Sequence, residues 1–254
     1  MRLFLSVCLT VVASTLALAD DAPKKKQFYE LRQYQLTSDA QDAELDTYLT
    51  NALIPALRRH GAGPIGVFRE IKPSDHPVRF VLIPYDSADQ VAAAVPALKK
   101  DDQYQKDAAE YLSKKNAAFK RIRSELLHAF DCMPQLKVPS QTKDDQDRVF
   151  ELRIYESATE QLGDLKVEMF NAGEVPIFLD CGIVPVFLGQ AVVGDLLPSL
   201  TYMTVYDSME AKAEAWSKFP KHPDWKTLSK LPKYKGTVSN IHKWELVPVK
   251  GSQL

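Results

Sequence analysis

The chain has 254 residues, 45% of them apolar and 26% charged, with a formal net charge of −1. That balance excludes a nucleic-acid or anionic-membrane surface, because both need a basic excess to displace counterions or meet lipid charge. A chain of this length buries roughly 70% of its unfolded surface, so folding requires neither a metal nor a disulfide staple.

Arg2 precedes an uncharged run from Leu3 to Leu18, which closes with Ala17, Leu18 and Ala19 before Asp20 and Asp21. A positive start, a short apolar middle and small residues two apart are the parts of a secretory signal peptide. Cleavage after Ala19 is expected, giving a secreted or periplasmic protein with no membrane span left after signal removal. Cys8 lies inside the run, which argues against a lipid-modified N-terminal cysteine. Lys24, Lys25 and Lys26 then read as a flexible tether.

The rest of the chain repeats itself. Glu30, Leu31, Arg32 and Tyr34 return as Glu151, Leu152, Arg153 and Tyr155, a spacing of 121 residues from Glu30 to Glu151. The same spacing carries Pro55 to Pro176, Gly61 to Gly182, Tyr85-Asp86-Ser87 to Tyr206-Asp207-Ser208, and Tyr104 to Trp225. One constant spacing over so much chain marks two copies of a single unit. The expected division is a leader over 1–19, a first domain over 27–132, a linker over 133–147 and a second domain over 148–248.

Each copy opens with a strand-like stretch, Phe28 to Tyr34 and Val149 to Tyr155. Leu45, Tyr48, Leu49, Ala52, Leu53, Ala56 and Leu57 then recur at steps of three and four, which predicts one amphipathic helix. Thr37 or Ser38 is placed to cap it, with Asp39 and Asp42 at the positive end of its dipole. Pro55 should kink or end it, and Gly61 supplies a left-handed exit. Strands follow at Ile65 to Ile71 and Val78 to Tyr85, joined through Pro73, Ser74, Asp75, His76 and Pro77. Their counterparts are Pro185 to Val193 and Ser199 to Tyr206. Ser87 and Ser208 cap a second helix, and strands at Arg123 to Phe130 and Asn240 to Val247 close the units. The order β-α-β-β-α-β predicts an α+β protein: two tandem ferredoxin-like units packed sheet to sheet as a pseudo-dimeric α/β barrel.

Side chains alternate along a strand, so Glu30, Arg32 and Tyr34 share one face and Tyr29, Leu31 and Gln33 the other. In the second copy Phe150, Leu152 and Ile154 form a wholly apolar set, which is expected under the helices. The set of Glu30, Arg32, Tyr34, Glu151, Arg153 and Tyr155 is then expected to face the space the two sheets enclose. Two roles are open to it. Glutamate and arginine neutralise each other while the tyrosines pack, or the arginines present planar donors to a carboxylate or carbonyl ligand.

The Tyr29-Glu30-Leu31-Arg32 and Phe150-Glu151-Leu152-Arg153 stretches, the Pro55 to Gly61 exit, the Tyr85-Asp86-Ser87 step and His222-Pro223-Asp224-Trp225 together resemble the NIPSNAP family. The resemblance runs over residues 27–248 and implies a fold similar to the dimeric α/β barrel group, which includes cofactor-independent oxygenases and haem-dependent chlorite dismutases.

A haem-binding relative would need an axial histidine, and His128 and His242 in the closing strands are the positions to consider. Their neighbours Ser124, Glu125 and Lys243 read instead as wet strand edges, and no cofactor or metal is expected. His60 sits at a helix exit, His76 in a Pro-rich turn and His222 in a surface turn anchored by Trp225. Asp101 and Asp102 read as a solvated helix end. Beyond the leader, Cys132 and Cys181 read as two separate buried residues, able to pair only if their backbones approach within about 7 Å. No dinucleotide-binding glycine fingerprint, Walker loop, zinc-protease helix or nucleophile elbow occurs.

These absences favour a non-enzymatic module that binds a small molecule or another protein. The ligand class suggested is a small carboxylate or a phenol, and self-association through outer sheet edges is a further partner class. The alternative is a cofactor-independent oxygenase or isomerase using the barrel interior.

Overall fold

A computed structural model describes residues 25–37, 39–72, 77–114 and 119–254. The leader, Lys24, the Ser38 cap and the turn residues Pro73, Ser74, Asp75 and His76 lie outside the described residues, as does the Asp39 side chain.

The first unit contains β1 (Phe28–Gln35), α1 (Asp39–Tyr48), α2 (Ile54–Arg59), β2 (Gly66–Glu70), β3 (Val78–Tyr85), α3 (Ala88–Lys100), α4 (Asp102–Asp107), α5 (Ala109–Leu112) and β4 (Arg121–Ala129). The second contains β5 (Val149–Glu156), α6 (Glu160–Met169), α7 (Val175–Cys181), β6 (Val184–Val193), β7 (Ser199–Tyr206), α8 (Met209–Lys218), α9 (Pro223–Leu228) and β8 (Asn240–Pro248). The capping serines perform as expected: Ser87 accepts from the Gln90 amide and Ser208 from the Ala211 amide, each at 3.2 Å.

The single helix expected after β1 is two helices joined by a wider π turn, Leu49–Leu53, whose hydrogen bond runs from the Ile54 amide to the Leu49 carbonyl. Pro55 follows at once and has no amide hydrogen to continue the α-helical ladder, so the loosened turn absorbs the break. The second copy repeats the device, with a π turn over Phe170–Glu174 ahead of Pro176. Both helices leave through a left-handed glycine, Gly61 at φ 82° and Gly182 at φ 84°.

The eight strands close into one antiparallel barrel in the order β1-β3-β2-β8-β5-β7-β6-β4. The two four-stranded sheets join edge to edge at two seams, β2 with β8 and β4 with β6. Closure gives every strand a neighbour on both sides, so the sheet edges assigned above to self-association are already used within the chain. Residues 252 and 253 add to the first seam: the Val67 amide donates to Ser252 Oγ at 3.0 Å and the Ile65 amide to Gln253 Oε1 at 2.8 Å.

An eight-stranded barrel is just wide enough to be filled by its own side chains, and this one is filled with apolar ones. Tyr29, Leu31, Phe80, Leu82 and Leu127 from the first unit meet Phe150, Leu152, Met203, Val205 and Leu246 from the second. Phe68 meets Phe150 edge to face at 4.8 Å between centroids, and Tyr29 tilts onto Phe187 at 5.1 Å.

That filling reverses the facing expected from sequence. Phe150 and Leu152 lie in the lumen, while Glu30, Arg32, Tyr34, Glu151, Arg153 and Tyr155 point outward, beneath their own unit's helices. The reason is space. The lumen is filled mainly by apolar groups and leaves little room for charge, whereas the sheet–helix layer holds the cavities, where polar groups find partners.

Cys181 is buried as expected, but Cys132 is exposed, on the turn that follows β4, and both are free thiols. Among the described residues no helix is long and apolar enough to span a membrane.

Candidate functional site

Each unit holds a cavity between its sheet and its helices, and the two are related by the internal repeat. The first, about 450 Å³, is bordered by Arg32 and Tyr34 from β1, Tyr48 and Leu53 from the first helix pair, Leu98 and Tyr104 from the second helical region, and Tyr111. Arg32 lies folded back on its own strand. Its Nε donates to Glu30 Oε1 at 2.6 Å and its Nη2 to Glu30 Oε2 at 2.9 Å, a closed two-bond fork. Ser124 Oγ and the Tyr85 hydroxyl donate to the same carboxylate at 3.0 and 3.2 Å. Burial opposes the charge on Glu30, but the Arg32 hydrogen bonds and charge, with Ser124 and Tyr85, outweigh it and hold the carboxyl below its ordinary range. Tyr48 and Tyr104 share a hydrogen bond of 2.7 Å.

The second cavity, about 380 Å³, carries more charge. Arg153 and Tyr155 come from β5, Lys166 and Glu174 from α6 and its π turn, Trp216 from α8 and Trp225 from α9. Lys166 Nζ donates to Glu174 Oε2 at 2.6 Å, with both side chains almost fully buried, and lies 4.6 Å from the centre of the Phe170 ring. Burial pushes the Glu174 carboxyl up, and the Lys166 charge and hydrogen bond pull against it. Arg153 lies over the Trp216 ring at 3.8 Å, and its Nη1 donates to the Tyr155 hydroxyl at 3.2 Å. The Tyr155 and Tyr202 hydroxyls share a hydrogen bond of 2.8 Å. Burial drives the Tyr202 phenol well above its ordinary value.

These groups suit recognition better than proton transfer. Burial raises the phenols of Tyr34, Tyr48, Tyr85, Tyr111, Tyr202 and Tyr206, so each stays protonated and donates rather than acting as a base or nucleophile. The two arginines are permanent cations.

Of the six site residues expected from sequence, Arg32 and Tyr34 border the first cavity and Arg153 and Tyr155 the second, with Glu30 and Glu151 paired to the arginines behind them, and no member of one triad is brought onto a member of the other. Sequence reading missed Tyr48, Tyr104, Lys166, Glu174, Trp216 and Trp225. Lys166 and Glu174 were detectable, because the repeat sets them at the positions of Leu45 and Leu53, two core leucines of the first copy.

Among the described residues no histidine borders either cavity. His128 stacks on Phe28 with ring centres 4.6 Å apart, and His242 is held by the Glu156 carboxylate. His222 caps α9, its Nδ1 accepting from the Asp224 amide at 3.3 Å, so the expected surface turn is a helix start that delivers Trp225 to the cavity. Asp101 caps α4 by accepting from the Tyr104 amide at 2.8 Å and also binds Arg59 and His60. The Arg59 hydrogen bonds, then the Tyr104 amide, hold its carboxyl down at about 2. It is an anchored cap rather than the solvated helix end that sequence suggested. Among the described residues, no cluster of three or more His, Cys, Asp or Glu side chains is fit to hold a metal.

Two β-α-β-β-α-β repeats closed into one eight-stranded barrel, with the helices outside, define the chain as a dimeric α/β barrel protein of ferredoxin-like units. Its second half, over residues 150–253, matches the NIPSNAP family, so the chain carries a NIPSNAP domain. A presumed monooxygenase from Lactobacillus acidophilus NCFM is 11% identical, with 88% of this chain and 94% of that one covered at a TM-score of 0.58. A presumed monooxygenase from Fusobacterium nucleatum is 9% identical, with 89% and 93% covered at a TM-score of 0.55. A NIPSNAP-like domain protein from Burkholderia xenovorans is 14% identical, with 41% of this chain and 88% of that one covered at a TM-score of 0.38. The first two likenesses show a shared fold. No curated protein matches the sequence.

Proposed function

We propose that the protein is an exported, non-enzymatic small-molecule binder whose sites are the two sheet–helix cavities. The observation that carries this reading is the pair itself: two cavities at repeat-related places, each edged by a permanent cation and by tyrosine hydroxyls. Such groups donate hydrogen bonds to a carboxylate or phenolate. Arg32, Tyr34, Arg153 and Tyr155 are the groups that meet the ligand, while Glu30 and Glu151 hold the arginines in place.

The alternative of a cofactor-independent oxygenase or isomerase draws support from the fold neighbours named as monooxygenases. The filled lumen turns that chemistry toward the same two cavities. Incubation with a quinol or phenol under oxygen, with no cofactor added, separates the two readings. Saturable binding without product formation is expected, and turnover would overturn the non-enzymatic reading. Export is checked by sequencing the N-terminus of the protein recovered outside the cytoplasm, which should begin at Asp20.

A further inference from the structure

The two arginines hold the same place in the repeat but are not in the same state. In the first unit Glu30 and Arg32 close on each other through two hydrogen bonds, which occupies the Nε–Nη2 edge of the guanidinium. In the second unit Lys212 intervenes. Its Nζ lies 3.1 Å from Glu151 Oε1 and 2.5 Å from Glu245 Oε1, bridging two carboxylates on adjacent strands. Arg153 keeps a single 3.0 Å contact with Glu151 Oε2 and leans onto Trp216, and its buried Nε has no hydrogen-bond partner. The residue equivalent to Lys212 in the first unit is Val91, so no second cation there competes with Arg32 for Glu30.

Lys166 and Glu174 neutralise each other within the same cavity, which leaves Arg153, held by one contact to Glu151 and one bond to the Tyr155 hydroxyl, as the cation not closed into a carboxylate fork. Around it the walls are flat and aromatic, with Trp216 against the guanidinium and Trp225 packed on Phe219 at 4.3 Å between centroids. We infer that the second cavity is selective for a small aromatic carboxylate, and that Lys212 is the positioning residue that frees Arg153 to bind it. The first cavity, with its arginine closed, has no such preference. This rests on the cavity reading above and adds the ligand class and the source of selectivity.

Benzoate and its neutral analogue benzamide, titrated by calorimetry into the full mature chain, make the test. Benzoate should bind more tightly, and R153M should weaken it by about a hundredfold, in line with loss of a charge-assisted contact. K212V, which copies Val91, should let Glu151 close on Arg153 and weaken benzoate by about tenfold, leaving benzamide unchanged. E151Q should move the other way and tighten benzoate, an opposite sign that a merely structural role would not give. R32M is the comparison and should leave the preference for benzoate over benzamide in place. Benzoate binding no tighter than benzamide, or unmoved by K212V, would overturn the inference while the cavity reading stands. Failure of both probes to bind would overturn both.

Discussion

The two cavities were built from one plan and have been filled differently. Around Arg32 the walls are leucine and tyrosine, and the glutamate–arginine pair is closed. Around Arg153 the positions of Leu45, Leu53, Val91, Val95 and Tyr104 have become Lys166, Glu174, Lys212, Trp216 and Trp225. The first unit therefore shows what the layer needs in order to fold, and the second what has been added to it. A buried ion pair in place of two leucines rarely improves stability, because desolvation consumes most of the Coulombic gain. Its presence only where the cavity is charged points to recognition rather than folding.

The largest expected effect breaks that comparison at its centre. Lys166→Leu strands the buried Glu174 and should destabilise the protein by about 3–5 kcal/mol in urea unfolding. The double replacement Lys166→Leu with Glu174→Leu writes the first unit's residues into the second and should recover most of the loss. A double variant as unstable as the single one would mean that the two layers are not equivalent.

A second test compares the barrel seams. Glu125 on β4 is buried beside Thr201, and the repeat aligns it with Leu246, a lumen residue of β8. Burial raises the Glu125 carboxyl to about 7, partly offset by the Thr201 hydrogen bond. The folded state thus favours the protonated form and resists ionisation. Stability should fall as pH rises from about 4.5 to about 7 and then level off, a change on the order of 3 kcal/mol. Glu125→Gln should abolish that slope and be the more stable protein at pH 8. A slope retained in the variant would place the titration elsewhere.

The smallest effect sharpens the contrast. Tyr104→Phe removes the 2.7 Å bond to Tyr48 and should cost about 1 kcal/mol in thermal unfolding. The second unit has Met169 and Trp225 at those positions and no such bond to lose.

Much of this was legible in the sequence, because the evidence lay in spacing. The repeat, the strand order, the Ser87 and Ser208 caps and the Gly61 and Gly182 exits all follow from local chemistry and one fixed interval. The facing of β1 and β5 was not. Alternation separates two faces without saying which is inside, and both faces here are covered, so an apolar set such as Phe150 and Leu152 suits either. Closure of the barrel decides it, and closure is a long-range property. The division of a single apolar stripe by a π turn was equally hidden, since Pro55 marks where the helix changes but not how.

The central claim, that ligands enter the sheet–helix layer and not the barrel, has a direct probe in the three tryptophans. Trp216 and Trp225 border the second cavity, and Trp244 packs against the lumen residues. Fluorine NMR of protein labelled with 5-fluorotryptophan, titrated with benzoate, should shift the Trp216 and Trp225 resonances and leave Trp244 in place. A shift confined to Trp244 would contradict the account.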